Sequence, residues 1–183
     1  MFKRKSQSGF TLVELLVVLA IIGVLAAIVT INFDQARKSA RDKARKSDLQ
    51  SLQLAVELYK SQNGRYPDRC PDATGSNWSG PGDWDLSGFI TCENYISGLT
   101  PDYIPALPTS PKNEYETNRG FMYKTDGKSY KIVVVNAVER DLITSYGDEF
   151  ARCPRVCASQ PACANATPNS NDYAVYSPGA ECW

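Results

Sequence analysis

Apolar positions are distributed along this chain in three different ways. From Phe10 to Val29 they form a run broken by one charged residue, Glu14. Extended to Ile31 and wound as a helix, the run would measure roughly 33 Å, enough to cross a hydrocarbon core. A carboxylate in such a segment costs about 2.5 to 3.5 kcal/mol at the bilayer centre and somewhat less near its edge. Glu14 therefore needs an explanation. From Asn32 to Asn63 the apolar residues are spaced rather than continuous, and neither Pro nor Gly interrupts them. Asn63-Gly64 followed by Pro67 supplies a stop signal. Together the two stretches predict one helix over residues 10–63, roughly 80 Å long.

The second half of that helix carries two stripes. Leu49, Leu52, Val56 and Tyr59 recur on one side and are expected to pack on the protein's own sheet. Ala36, Ala40, Ala44, Leu54 and Leu58 lie along another side, where small residues allow close approach of a neighbouring helix. One broad core stripe in a single chain fits the same periodicity.

After Gly64 the pattern changes to short elements. Residues 68–98 are rich in Gly, Asp, Ser and Trp and read as a long loop, which Cys70 and Cys92 would pin if paired. A hairpin signal follows: Phe121 to Thr125, Asp126-Gly127, then Ser129 to Ala137. A long helix against an antiparallel sheet predicts an α+β fold. Residues 138–183 hold four cysteines and few apolar clusters, so two bridges are expected to hold them.

Composition narrows the chemistry. The 183 residues carry 20 basic and 20 acidic side chains, so bulk charge gives no attraction to nucleic acid or an anionic membrane. Histidine is absent, which removes the commonest general base and metal ligand. No catalytic constellation is found, and no enzyme activity is assigned. Cys70, Cys92, Cys153, Cys157, Cys163 and Cys182 lack the close CxxC pairs of most zinc sites. With an N-terminal membrane segment they read as disulfides of an exported region, in any of fifteen formal pairings. Charge alone does not orient that segment: Lys3, Arg4 and Lys5 precede it, but Arg37, Lys38, Arg41, Lys43, Arg45 and Lys46 follow and outnumber them. The collar from Arg37 to Lys46, with Asp42 inside it, reads as a solvated helix face, the alternative being attraction to lipid heads or DNA.

The string Ser8-Gly9-Phe10-Thr11-Leu12-Val13-Glu14, after a short basic leader, resembles the N-terminus of type IV pilins and the pseudopilins of type II secretion. That resemblance implies cleavage by a prepilin peptidase between Gly9 and Phe10, with N-methylation of Phe10. It also implies an orientation with the head outside the cytoplasmic membrane. A cleaved secretory signal ending near Ala26-Ala27 is the competing reading, but the apolar run exceeds the usual length of about 7 to 15 residues. The ammonium created at Phe10 gives Glu14 a partner, the same charge on a neighbouring subunit, and a buried pair of this kind sets register. The alternative is a Glu14 solvated at the headgroup level.

The stretches Asn63 to Pro67, and Tyr103 to Pro108 with Pro111 and Tyr123, resemble the head of the major, G-type pseudopilins. On that basis residues 68–98 take the place of the family's variable αβ-loop. The ending Tyr173 to Glu181 resembles a C-terminal pattern that contributes to a calcium site in some pseudopilins. Glu181 stands where aspartate is usual and other ligands are not matched, so a closing strand and loop is the expectation, with Glu181 a weak calcium candidate and no other cofactor. Many relatives carry a proline near the end of the membrane segment; Thr30-Ile31 stands there instead, with Gly23 the only weak point in the run.

Five segments result: a cleaved leader (1–9), a membrane and polymerisation helix (10–31), its amphipathic continuation (32–63), a globular head (64–137) and a Cys-rich C-terminal region (138–183). The expected protein is a structural subunit of a type IV pilus-like or type II secretion filament, anchored in the cytoplasmic membrane before joining an extracellular or periplasmic filament. Its expected partners are copies of itself, other pseudopilins, the prepilin peptidase, an inner-membrane assembly platform and membrane lipid, but not nucleic acid. The alternative function is a membrane-anchored secreted binding module that does not polymerise. Two patterns carry little weight: the glycosylation acceptors at Asn77 and Asn165, and an adhesive surface built from Trp78, Trp84 and Trp183.

Overall fold

The computed structural model describes residues 9–70, 78–81, 89–109, 120–157, 163 and 171–183, with the side chains at 28–32, 89 and 90 left aside. The expected leader charges, Pro111, Trp84 and both glycosylation asparagines lie outside the described residues. One helix, α1, runs Leu12–Asn63, and the chain divides into two compact units, Met1–Lys38 and Ser39–Trp183.

In the first unit the described large apolar side chains of α1 lie exposed. From Leu12 to Leu25 the large apolar residues are 52% to 75% exposed. The helix here is held by its backbone ladder and by pairs such as Lys38 with Asp34, one turn apart at 3.2 Å. Among the described residues no helix is long and apolar enough to cross a membrane. The described apolar positions 12–27 span about 24 Å, less than a hydrocarbon core of about 30 Å.

In the second unit α1 continues to Asn63 and ends as its sequence dictates. Gly64 adopts φ +75° and its N–H donates to the Lys60 carbonyl at 2.8 Å, the left-handed cap that glycine favours. Leu49, Leu52, Ala55 and Val56 are buried in a core with Phe121, Tyr123, Ile132, Val134, Tyr173 and Val175. Tyr59 joins at the margin. The exposed side in this unit bears Ala40, Ala44, Leu54 and Leu58, so the two stripes are distinct faces here; Ala36, in the first unit, is exposed as well.

The sheet has five strands in the order β2-β1-β3-β4-β5: β1 Trp78–Gly80, β2 Phe89–Thr91, β3 Gly120–Thr125, β4 Tyr130–Val135 and β5 Tyr173–Tyr176. β3 and β4 form the expected hairpin, with Gly127 at φ +81° and the Asp126 carboxylate accepting from the N–H groups of Lys128 and Ser129. β5 closes the sheet antiparallel to β4.

Two expectations are corrected here. The segment 68–98 is not simply a loop: it supplies β1 and β2, which pair parallel with Trp78 opposite Phe89, and a bridge between Arg69 and Ile96. Strands of three residues are too short to show an alternating pattern. Residues 138–183 are also less dependent on their bridges than expected, since Val138, Ile143, Phe150, Ala151, Tyr173 and Val175 join the main core. All six cysteines are paired: Cys70–Cys92, Cys153–Cys163 and Cys157–Cys182. The last two pairs form a separate buried cluster at the C-terminal end.

Candidate processing and assembly site

The N-terminal motif begins in the open. Phe10 is 90% exposed, and a Cβ added at Gly9 would meet nothing within 4 Å. Packing within this chain therefore gives no reason for glycine at that position. Helix α1 starts two residues later on a reciprocal cap. Thr11 N–H and Thr11 Oγ1 both donate to Glu14 Oε2, at 2.9 and 2.7 Å, and Glu14 N–H lies 3.3 Å from Thr11 Oγ1. This is a capping box, in which two otherwise orphaned N–H groups at a helix start are satisfied by side chains.

The box changes the reading of Glu14. It is not an unpartnered charge in the single chain, because one oxygen already closes the first turn. The signal was present in the spacing Thr11-x-x-Glu14 but was masked by the apolar residues around it.

The collar expected to be a solvated face is instead a buried anchor at its centre. Asp42 is fully buried and Arg45 nearly so. The Asp42 carboxylate accepts from the N–H groups of Glu139 at 3.1 Å, Arg140 at 2.8 Å and Asp141 at 3.0 Å, and from Arg45 Nη1 at 2.9 Å. Arg45 Nη1 also donates to Glu139, whose carboxylate is gripped by the Arg41 guanidinium as well. Lys46 reaches Asp141 at 3.0 Å and lies over the Tyr173 ring. The bond from Arg41, helped by Arg45, holds the Glu139 carboxyl down at about 2. The reason for the correction is the segment 139–141, whose N–H groups need an acceptor and find one in Asp42. Only the fold brings residues about a hundred positions apart together.

At the C-terminal end the Glu181 carboxylate accepts from Gly179 N–H at 2.9 Å. Among the described residues no group of three His, Cys, Asp or Glu side chains is arranged to hold a metal ion. Ser177 Oγ accepts from the Tyr130 N–H, so the serine of the closing pattern ties β5 to β4.

Comparison with known proteins supports the N-terminal reading. A family model described as the prokaryotic N-terminal methylation motif matches residues 4–30. Type II secretion system core protein G of Vibrio cholerae serotype O1 is 32% identical over 123 residues, covering 63% of this chain and 73% of that protein. The proteins of the same description from Aeromonas hydrophila and Klebsiella michiganensis are 40% and 42% identical over 65 residues, covering 36% of this chain. The match thus spans a little under half the length of those two relatives, 46% of each. No solved structure matches the chain. With the methylation motif at its start, the capped helix behind it and a Vibrio relative matched over most of its length, the chain belongs to the pseudopilin family of type II secretion system core proteins G.

Proposed function

We propose that this chain is a structural subunit of a type II secretion pseudopilus. It is made as a prepilin, anchored in the inner membrane by the apolar segment 10–31 with its head outside, and cut between Gly9 and Phe10 by the prepilin peptidase. The new Phe10 amine is methylated, and the subunit joins copies of itself and other pseudopilins on an inner-membrane assembly platform. No catalytic step and no cofactor are assigned to it.

The observation that carries this reading is the open Gly9–Phe10 junction immediately before the Thr11–Glu14 cap. Because nothing among the described residues needs Gly9 to be small, the requirement is ascribed to a peptidase that must approach the backbone closely. Both bonds from Thr11 fall on Glu14 Oε2, leaving Oε1 to meet the Phe10 ammonium of a neighbouring subunit. The pair would offset two charges that are each costly in an apolar bundle.

The test is mass spectrometry of the sheared filament fraction. An N-methylated peptide beginning at Phe10 is expected. Recovery of the chain with its leader intact, or cut near Ala26, would overturn the proposal and favour a secreted binding module.

A further inference from the structure

The face of the sheet that carries Lys124 and Lys131 has a row of side chains with no counterpart in the filament role. Ser79 pairs with Tyr123, so the neighbouring Trp78 stands across from Lys124; Lys124 pairs with Lys131, and Lys131 with Tyr176. Across four strands the row reads Trp78, Lys124, Lys131, Tyr176. Like charges directly opposite one another destabilise a strand pair, so two facing lysines need a reason.

Lys131 has one within the chain. It is fully buried and donates to the backbone oxygens of Glu181 at 2.7 Å and Trp183 at 3.0 Å, while its Nζ lies 5.1 Å from the Tyr176 ring centre. With the Cys157–Cys182 bridge it fixes the last turn, and so fixes where Trp183 stands. Trp183 is half-buried over Lys124, with Nζ 4.9 Å from its ring centre; Trp78, also half-buried, flanks the same ammonium at 5.7 Å.

Lys124 itself makes no ion pair among the described residues. Burial lowers its pKa, the nearby Arg69 guanidinium lowers it further, and Asp126 opposes them. The Asp126 carboxylate is already engaged by the hairpin N–H groups. An ammonium with no ion pair among the described residues therefore sits against two indoles held in place by the fold.

We infer that this face is a binding site for an acidic sugar chain, with Trp78 and Trp183 as walls and Lys124 as the carboxylate-recognising group. A uronic acid joins on one ring the two features the site asks for: a flat C–H face that stacks on an indole, and a carboxylate in reach of an ammonium. An acidic peptide has no flat apolar face at its carboxylate. A phosphodiester chain calls for a longer track of cations than this, on a protein whose net charge is zero. The inference does not rest on the pseudopilus reading, and its failure would leave that reading in place.

The test is calorimetric titration of the full chain in detergent micelles with an alginate hexamer, a linear oligomer of uronic acids, and with the neutral cellohexaose. Saturable binding of the alginate hexamer and at least about tenfold weaker binding of cellohexaose are expected. Lys124→Gln and Trp183→Leu are each expected to weaken binding about tenfold, whereas Lys128→Gln, an exposed lysine of the hairpin turn, leaves it within about twofold. Thermal melting of each variant separates lost binding from lost folding, and Trp78→Leu gives a second reading should Trp183→Leu fail to fold. No binding up to about 10 mM alginate hexamer overturns the site. So does equal binding of cellohexaose, equal loss in Lys128→Gln, or tighter binding of a twelve-residue oligothymidylate.

Discussion

The helix before Lys38 and the unit from Ser39 to Trp183 use the same backbone element to opposite ends. In the first, described apolar side chains lie open and the one acidic group among them is satisfied locally by Thr11. In the second, apolar stripes are covered and a charged group, Asp42, is buried with its hydrogen bonds met by residues 139–141. A fully apolar exposed helix is a surface waiting for lipid or other helices. A buried carboxylate ringed by N–H donors is a finished internal joint.

The sharpest way to break this contrast is at Glu14. Glu14→Ala removes the cap and the proposed intermolecular partner together, and is expected to abolish filaments in the sheared fraction while leader cleavage proceeds. A Glu14→Gln variant sharpens the test, since glutamine keeps the capping box but not the charge. Filaments from Glu14→Gln at normal yield would reduce the role of Glu14 to helix capping.

Next in size is Asp42→Ala, which leaves three N–H groups without their acceptor and Arg45 with Glu139 alone. A loss of about 3 to 5 kcal/mol is expected in denaturant unfolding of the head. Replacing Cys157 and Cys182 together by serine opens a bridge of sequence separation 25 and is expected to cost about 3 kcal/mol, read the same way.

A smaller effect is set by pH. Arg41 and Arg45 make the Glu139 carboxyl harder to protonate in the folded chain than in the unfolded one, where its ordinary value is 4.5. Its contribution is complete above about pH 5 and is lost as pH falls through 4.5 toward 2. Stability measured from pH 5 to pH 3 should therefore fall less steeply in Glu139→Gln than in the parent chain.

The smallest expected change in folding, within about 0.5 kcal/mol, is that of Leu54→Ser, because Leu54 is 71% exposed. If the outer stripe meets neighbouring subunits, this variant nonetheless reduces filament yield while melting normally. A large loss of stability would show instead that the stripe is internal.

Much of the fold was legible because its signals are local. The apolar run, the glycine stop at Gly64 and the Asp126-Gly127 turn each act over a few residues. The two faces of the helix were also readable from spacing, although the same periodicity allowed a single broad stripe. The short strands β1 and β2 were not legible, because three residues cannot display a period. Their pairing is decided by neighbours already in the sheet.

The candidate site divides in the same way. The sequence by itself determined the processing motif, the position of Glu14 and even its cap, since Thr11 and Glu14 are three residues apart. It could not say that Asp42, in a run of mixed charge, would be fully buried, nor which cysteines pair. It could not place Trp78 and Trp183 on either side of Lys124. Those outcomes belong to tertiary structure alone, because each joins groups tens of residues apart whose meeting depends on how the helix, sheet and C-terminal turns close on one core.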